Sequence, residues 1–213
     1  MSCTEKKHTP LGLLAVERCA DLIQRAIKFE QQNFLYIKAL GSPWVQFNGH
    51  TLNLSHRQIE ILCILALHPH GIGLEELHYA LYGERSVSLK TLKAELSQLR
   101  SLLPHSIEPR IYRLSCEVQC DFLSAEQSLN ANLISSTFSL YKGSFLSKSE
   151  SPLLSTWRHC FDARLSQLIY QIKDIDQLLR IIGQTHDRID AVQRLLELLP
   201  QDSIHRNYFS NLI

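Results

Sequence analysis

Ser88-Leu89-Lys90-Thr91-Leu92-Lys93-Ala94-Glu95-Leu96-Ser97-Gln98-Leu99-Arg100-Ser101-Leu102-Leu103 is the stretch on which the reading of this chain turns. Leu89, Leu92, Leu96, Leu99 and Leu103 recur at three- and four-residue steps, which lines them along one side of a 3.6-residue helix. Ser88 or Val87 opens the helix, and Pro104, which lacks an N–H and cannot continue it, closes it. If the leucines face a core, then Lys90, Thr91, Lys93, Ala94, Ser97, Gln98 and Ser101 face outward. A solvated polar face is the default for an amphipathic surface helix. The stretch alone therefore leaves two readings open, simple exposure and contact with a partner.

The flanking sequence narrows the fold. Phe34-Leu35-Tyr36-Ile37 and Trp44-Val45-Gln46-Phe47 alternate like strands around Gly41-Ser42-Pro43, and Asn48-Gly49 is a tight-turn signal leading to a return strand at Thr51-Leu52-Asn53-Leu54. Ser55 caps a helix over 55–68 that turns Ile59, Leu62, Cys63, Leu65 and Ala66 inward. A short helix follows from Gly73 to Gly83, then the helix over 88–103, then a hairpin expected over 107–120. A small sheet, three helices and a hairpin, in that order, make a winged helix-turn-helix. Beyond Asp121 the chain turns helical again, with candidates at 122–129, 133–141, 157–173 and 190–199.

At the other end, Thr9-Pro10 begins a helix expected over 10–32, whose apolar stripe packs either on the rest of the chain or on a second copy. The expected class is mostly α with a small β-sheet. Three regions follow: an N-terminal linker or dimerisation helix over 1–33, a winged helix-turn-helix over 34–121, and a helical C-terminal extension over 122–213.

Composition excludes several function classes. No apolar run reaches the length of a membrane span and the N-terminus lacks the apolar core of a secretory signal, so a cytoplasmic protein is expected. The cysteines at 3, 19, 63, 116, 120 and 160 are irregularly spaced, as reduced, packed thiols are. Cys116 and Cys120 lack two further ligands at a metal-binding spacing. There is no glycine-rich phosphate loop, nucleophile elbow or HExxH pair, so no enzyme, cofactor or metal is expected. His68 and His70 suit a helix end, Trp44 and Trp157 suit core anchors, and Tyr79 and Tyr82 suit packing. The net charge is only +1, but residues 85–113 hold six Lys and Arg against two Glu, a local excess compatible with DNA.

Several stretches also resemble a known family. Leu54-Ser55-His56-Arg57-Gln58-Ile59-Glu60-Ile61-Leu62 is similar to the opening helix of winged-helix regulators, Leu74 to Gly83 to the next helix, Thr91 to Arg100 to the recognition helix, and Tyr112-Arg113-Leu114 to the end of the wing. Tyr141-Lys142-Gly143-Ser144-Phe145-Leu146 through Pro152 and Arg158, and the stretch from Asp187 to Arg206, resemble segments of GAF-domain-containing helix-turn-helix transcriptional regulators. In that family a helix like the one over 9–27 closes the sensory GAF domain, whose body is absent from this sequence.

The resemblance implies bacterial transcription regulation through double-stranded DNA, as a homodimer, with the recognition helix at 88–103 and the wing at 107–120. Lys90, Lys93, Arg110 and Arg113 would hold phosphates or the minor groove, and Thr91, Ser97 and Gln98 would reach base edges. Arg100 would be structural, pairing with Glu95 or Glu60, with Glu95 at the margin of the interface. The chain departs from the family at Gln98-Leu99-Arg100-Ser101, where the family favours more arginines, and at Ile111 in the wing. Fewer arginines mean fewer phosphate contacts. The alternative is a protein-interaction module or antagonist built on a winged helix that no longer binds DNA.

Overall fold

The computed structural model describes residues 33–210 except 186 and 202, and the helix expected over 10–32 lies outside them. Four strands, β1 (Phe34–Lys38), β2 (Trp44–Phe47), β3 (His50–Leu52) and β4 (Glu117–Cys120), form one sheet in the order β3-β2-β1-β4. The period-two alternation puts Leu35 and Ile37 opposite Phe47 and Val45, all four buried on one face. Asn48 and Gly49 both have positive φ, 49° and 80°, the conformation that a two-residue hairpin turn between twisted strands needs. The Asn48 side chain reinforces it by accepting the Phe34 N–H at 2.8 Å.

The helix-turn-helix follows as α1 (His56–Leu67), α2 (Leu74–Tyr82) and α3 (Leu89–Leu102). Ser55 caps α1 through the Gln58 N–H at 3.2 Å, and the Gln58 side chain returns the favour to the Ser55 N–H at 3.0 Å. Gly83, at φ +59°, ends α2. In α3 the buried stripe is Leu92, Leu96 and Leu99, continued by Leu103 just past the helix end. Each fully buried leucine contributes about 1.5–3 kcal/mol, so this stripe is what orients the helix. Leu89, expected in the stripe, is instead 37% exposed, because the first helical turn projects beyond the packed layer.

The hairpin expected over 107–120 is shorter. Ile107 pairs with Leu114, Glu108 N–H donates to Arg113 O at 2.9 Å and Ser115 N–H to Ser106 O at 3.0 Å. Tyr112 then bridges to Ile72 in the α1–α2 turn. Residues 117–120 leave the hairpin and run parallel to β1 as β4, with Leu35 opposite Val118 and Ile37 opposite Cys120. The parallel strand is pinned by Asp121, which is buried and accepts N–H groups from Ala39 (2.8 Å), Leu40 (3.0 Å) and Phe122 (2.8 Å).

The extension comprises α4 (Asp121–Asn130), α5 (Ile134–Leu140), α6 (Pro152–Gln171), α7 (Ile175–Gln184), α8 (Ile189–Leu198) and α9 (Ile204–Ser210). Helix α6 starts at Pro152 rather than at Trp157, with Ser151 as its cap, and α7 and α9 stand beyond the four helices expected there. Helix α6 crosses α1 and α2, and its Trp157 and Phe161 rings pack with Phe122 and Phe145 into one core. The polar links are as specific. Ser149 Oγ donates to buried Glu60 at 2.5 Å, Ser151 Oγ donates to Ala80 O at 2.7 Å, and Arg158 Nη1 donates to Leu146 O at 2.8 Å. Among the described residues no helix is long and apolar enough to cross a membrane.

Candidate nucleic-acid interface

Helix α3 presents Lys90, Thr91, Lys93, Ala94, Ser97, Gln98 and Ser101 to solvent, on the side opposite its buried leucines. No acidic side chain interrupts that set. Glu95, the one carboxylate of the helix, sits half-buried with one oxygen fully enclosed. It faces Tyr82, where burial pushes the phenol pKa up and the Arg57 cation, 4.6 Å over the ring, pulls it down. Arg57 in turn holds buried Glu60 at 2.6 Å. The charges at the junction of α1, α2 and α3 are thus turned inward, away from the exposed face.

The start of α3 is set locally. Ser88 Oγ accepts the Thr91 N–H at 3.4 Å and lies 3.2 Å from Thr91 Oγ1, so the Thr91 hydroxyl is engaged with the cap. The loop before it is held from outside the helix, by His78 Nε2 against Val87 O at 2.7 Å and by Arg85 Nη1 donating to Glu150 Oε2 at 2.8 Å. Farther along, Gln58 Nε2 donates to Gln98 Oε1 at 2.9 Å, which fixes the Gln98 amide against the first turn of α1. Gln58 was no candidate in the sequence. Its signal was the capping box, which already placed its side chain at the α1 N-terminus.

The hairpin stands beside α3. Arg100 lies 5.1 Å over the Tyr112 ring and donates to Glu108 O at 3.4 Å, so it is structural, with the hairpin as its partner instead of Glu95 or Glu60. At the tip Arg110 is exposed at φ +74° and Ile111 is 59% exposed. The tip rests on the α1–α2 turn, where Gly71 (φ +92°) leaves no room for a Cβ: one would come within 2.4 Å of Ile111 Cγ2. Arg113 is exposed as well, but its Nη2 donates to both carboxylate oxygens of Glu108, at 2.7 and 2.9 Å. The sequence places Arg113 at the DNA backbone or minor groove, and the fold gives it Glu108 as a partner. The hairpin register, which sets residue 108 opposite 113, was the signal that it is paired.

The candidate residues therefore fall into two groups on neighbouring elements. Lys90, Thr91, Lys93, Ser97 and Gln98 share the outer face of α3, and Arg110 and Arg113 sit on the hairpin. Lys90, Lys93 and Arg110 have no ion-pair partner among the described residues, whereas Arg113 has Glu108. Elsewhere the described cysteines are free thiols. Cys63 and Cys120 are buried, and burial beside Asp121 pushes the Cys120 thiol up to about 12, which keeps it protonated and unreactive.

No family model matches the chain. Over 153 residues, 71% of its length, it is 28% identical to an uncharacterized 47.3 kDa protein in the thcA 5′ region of Rhodococcus erythropolis. The match takes in 35% of that protein, so the chain spans about a third of the length of the relative. Among solved structures it is similar to Mycobacterium tuberculosis EmbR in complex with a low affinity phosphopeptide, with a TM-score of 0.49 and 16% identity over 85% of this chain and 56% of that one.

Proposed function

We propose that this chain binds double-stranded DNA and regulates transcription in the bacterial cytoplasm, with α3 in the major groove and the hairpin against the backbone or minor groove. The observation that carries the reading is the outer face of α3: two lysines with no ion-pair partner among the described residues, four small or amide polar side chains and no acid, on a helix whose orientation is set by its buried leucines. Lys90, Lys93 and Arg110 neutralise phosphates and set the register. Thr91, Ser97 and Gln98 read base edges, Gln98 from an amide already oriented by Gln58. The regions divide as 1–33, 34–121 and 122–213, and two copies bind paired half-sites, the N-terminal segment serving as linker or dimer contact. The ordered motifs ally the chain with the DNA-binding half of GAF-domain-containing regulators.

The test is anisotropy of a labelled random-sequence duplex titrated with the full chain at several salt concentrations. The three cations of each copy give a log–log salt slope of about −2.7 per bound copy, hence about a fortyfold loss of affinity per copy from roughly 0.05 to 0.2 M salt. Lys90→Ala or Lys93→Ala each makes the slope shallower by about 0.9. Binding with slopes unmoved by either variant refutes this interface. A second reading, a winged helix that docks on a protein and not on DNA, is favoured by the Arg113–Glu108 pair, which removes a cation from the wing. Absence of duplex binding at every salt concentration selects it.

A further inference from the structure

A second surface lies away from the outer face of α3. Between α2 and the first turns of α6 runs an open groove of about 700 Å³, with no residue of α3 or of the hairpin in its walls. Ile72, Tyr79, Ala80, Pro152 and Leu153 make an apolar floor, and Tyr79, expected to be packed, is 62% exposed. Tyr82, on the same helix, is buried, so the exposure of Tyr79 is specific to the groove side. Two carboxylates, Glu75 and Glu76, stand on the rim and are exposed. Glu76 accepts the Gly73 N–H at 3.1 Å, and neither has a cationic partner among the described residues.

We propose that this groove is a docking site for an amphipathic helix of a partner protein that presents apolar side chains flanked by Lys or Arg. The charge complement follows from the rim, where Glu75 and Glu76, in the first turn of α2 and without a cationic partner among the described residues, border an apolar floor that His68 also lines. A helix is the form the walls accept. Apart from His68 and Ile72 the walls are helix side chains, and the Ile72 N–H and C=O are both taken by Tyr112, so an occupant receives no backbone hydrogen bonds and must satisfy its own. The wall from Glu75 to Ala80 is a little over one helical turn, which matches apolar anchors one turn apart. An exposed tyrosine in the wall is the residue type that anchors such interfaces. Because the wall residues are separate from the outer face of α3, the groove remains open when that face is occupied, and the inference does not depend on DNA binding.

The chain carries a net charge of only +1, so any preference for a cationic peptide must be local. The full chain is titrated, without DNA, against a labelled helical peptide with leucines at i, i+3, i+4 and i+7 and lysines elsewhere, and against its counterpart with glutamates in place of lysines. The lysine peptide should bind at least tenfold more tightly, Tyr79→Ala should weaken it about tenfold, and Glu75→Lys, which leaves one cation beside Glu76, should abolish the preference between the two peptides. Both substituted side chains are exposed, so neither variant should unfold the chain, and unchanged circular dichroism checks this. Amide shifts on binding should centre on Ile72, Ala80 and Leu153. Equal binding of the two peptides, no binding, or shifts centred elsewhere overturns the proposal. So does self-association of the chain that Tyr79→Ala abolishes, since it assigns the groove to a second copy.

Discussion

Removing one negative charge from the wing should make the chain bind DNA more tightly. Glu108 occupies Arg113 through both carboxylate oxygens, at 2.7 and 2.9 Å, and the two side chains are 41% and 44% exposed. An ion pair that exposed contributes at most about 1 kcal/mol to stability, and the Glu108 backbone keeps its bonds to Arg113 and Arg100 whatever the side chain. Glu108→Gln therefore leaves the hairpin folded and frees one guanidinium. One more neutralised phosphate steepens the log–log salt slope by about 0.9, which corresponds to about fivefold tighter binding at 0.15 M salt and about fifteenfold at 0.05 M. Duplex anisotropy across that salt range measures both. Adding Arg113→Ala to Glu108→Gln should return affinity and slope to those of Arg113→Ala alone. If Glu108→Gln changes neither, Arg113 does not face the duplex, and its assignment to a DNA contact is refuted.

Gly71→Ala should cost about 1–3 kcal/mol, because alanine at φ +92° is strained and its Cβ would stand 2.4 Å from Ile111 Cγ2. Urea midpoints should show the loss, partial recovery in the Gly71→Ala/Ile111→Ala double variant, and full wild-type stability would contradict the contact. Asp121→Asn should destabilise by about 1–3 kcal/mol, since an amide cannot accept on both sides and one buried N–H of Ala39, Leu40 or Phe122 is left without a partner. Burial raises the Asp121 pKa against the pull of three N–H groups and Lys38. With the folded value above the unfolded one, the native chain holds the proton longer, so this group's contribution declines as pH rises through the window between the two. The stability gap between wild type and Asp121→Asn should shrink as pH rises from the ordinary carboxylate value through the raised one, and a gap that widens there reverses the sign of the shift.

The parts of the architecture that rest on local chemistry were legible. Asn48-Gly49 specifies its turn because both residues tolerate positive φ, Ser55 specifies the α1 start as its cap, and the leucine spacing specifies α3. Helix α7 carries Leu178 and Ile181 buried at a helical step, yet it stands outside the expected set. The destination of residues 117–120 was not legible. An edge strand with alternating side chains satisfies a hairpin or a parallel sheet equally well, and the choice was made by Asp121 reaching Ala39 and Leu40, more than 80 residues away in the chain.

For the site the division is similar. Periodicity alone determined which side of residues 88–103 is apolar, and hence that Lys90, Lys93, Ser97 and Gln98 lie together, because a helix repeats every 3.6 residues regardless of what surrounds it. Tertiary structure decided which of the charged and polar groups are free. Arg113 is held by Glu108, Arg100 by the Tyr112 ring, Gln98 by Gln58, and Leu89 and Tyr79 are left open where packing ends. The cause is physical: a side chain's period is a property of its own segment, whereas its availability depends on what the rest of the fold brings within about 3 Å of it.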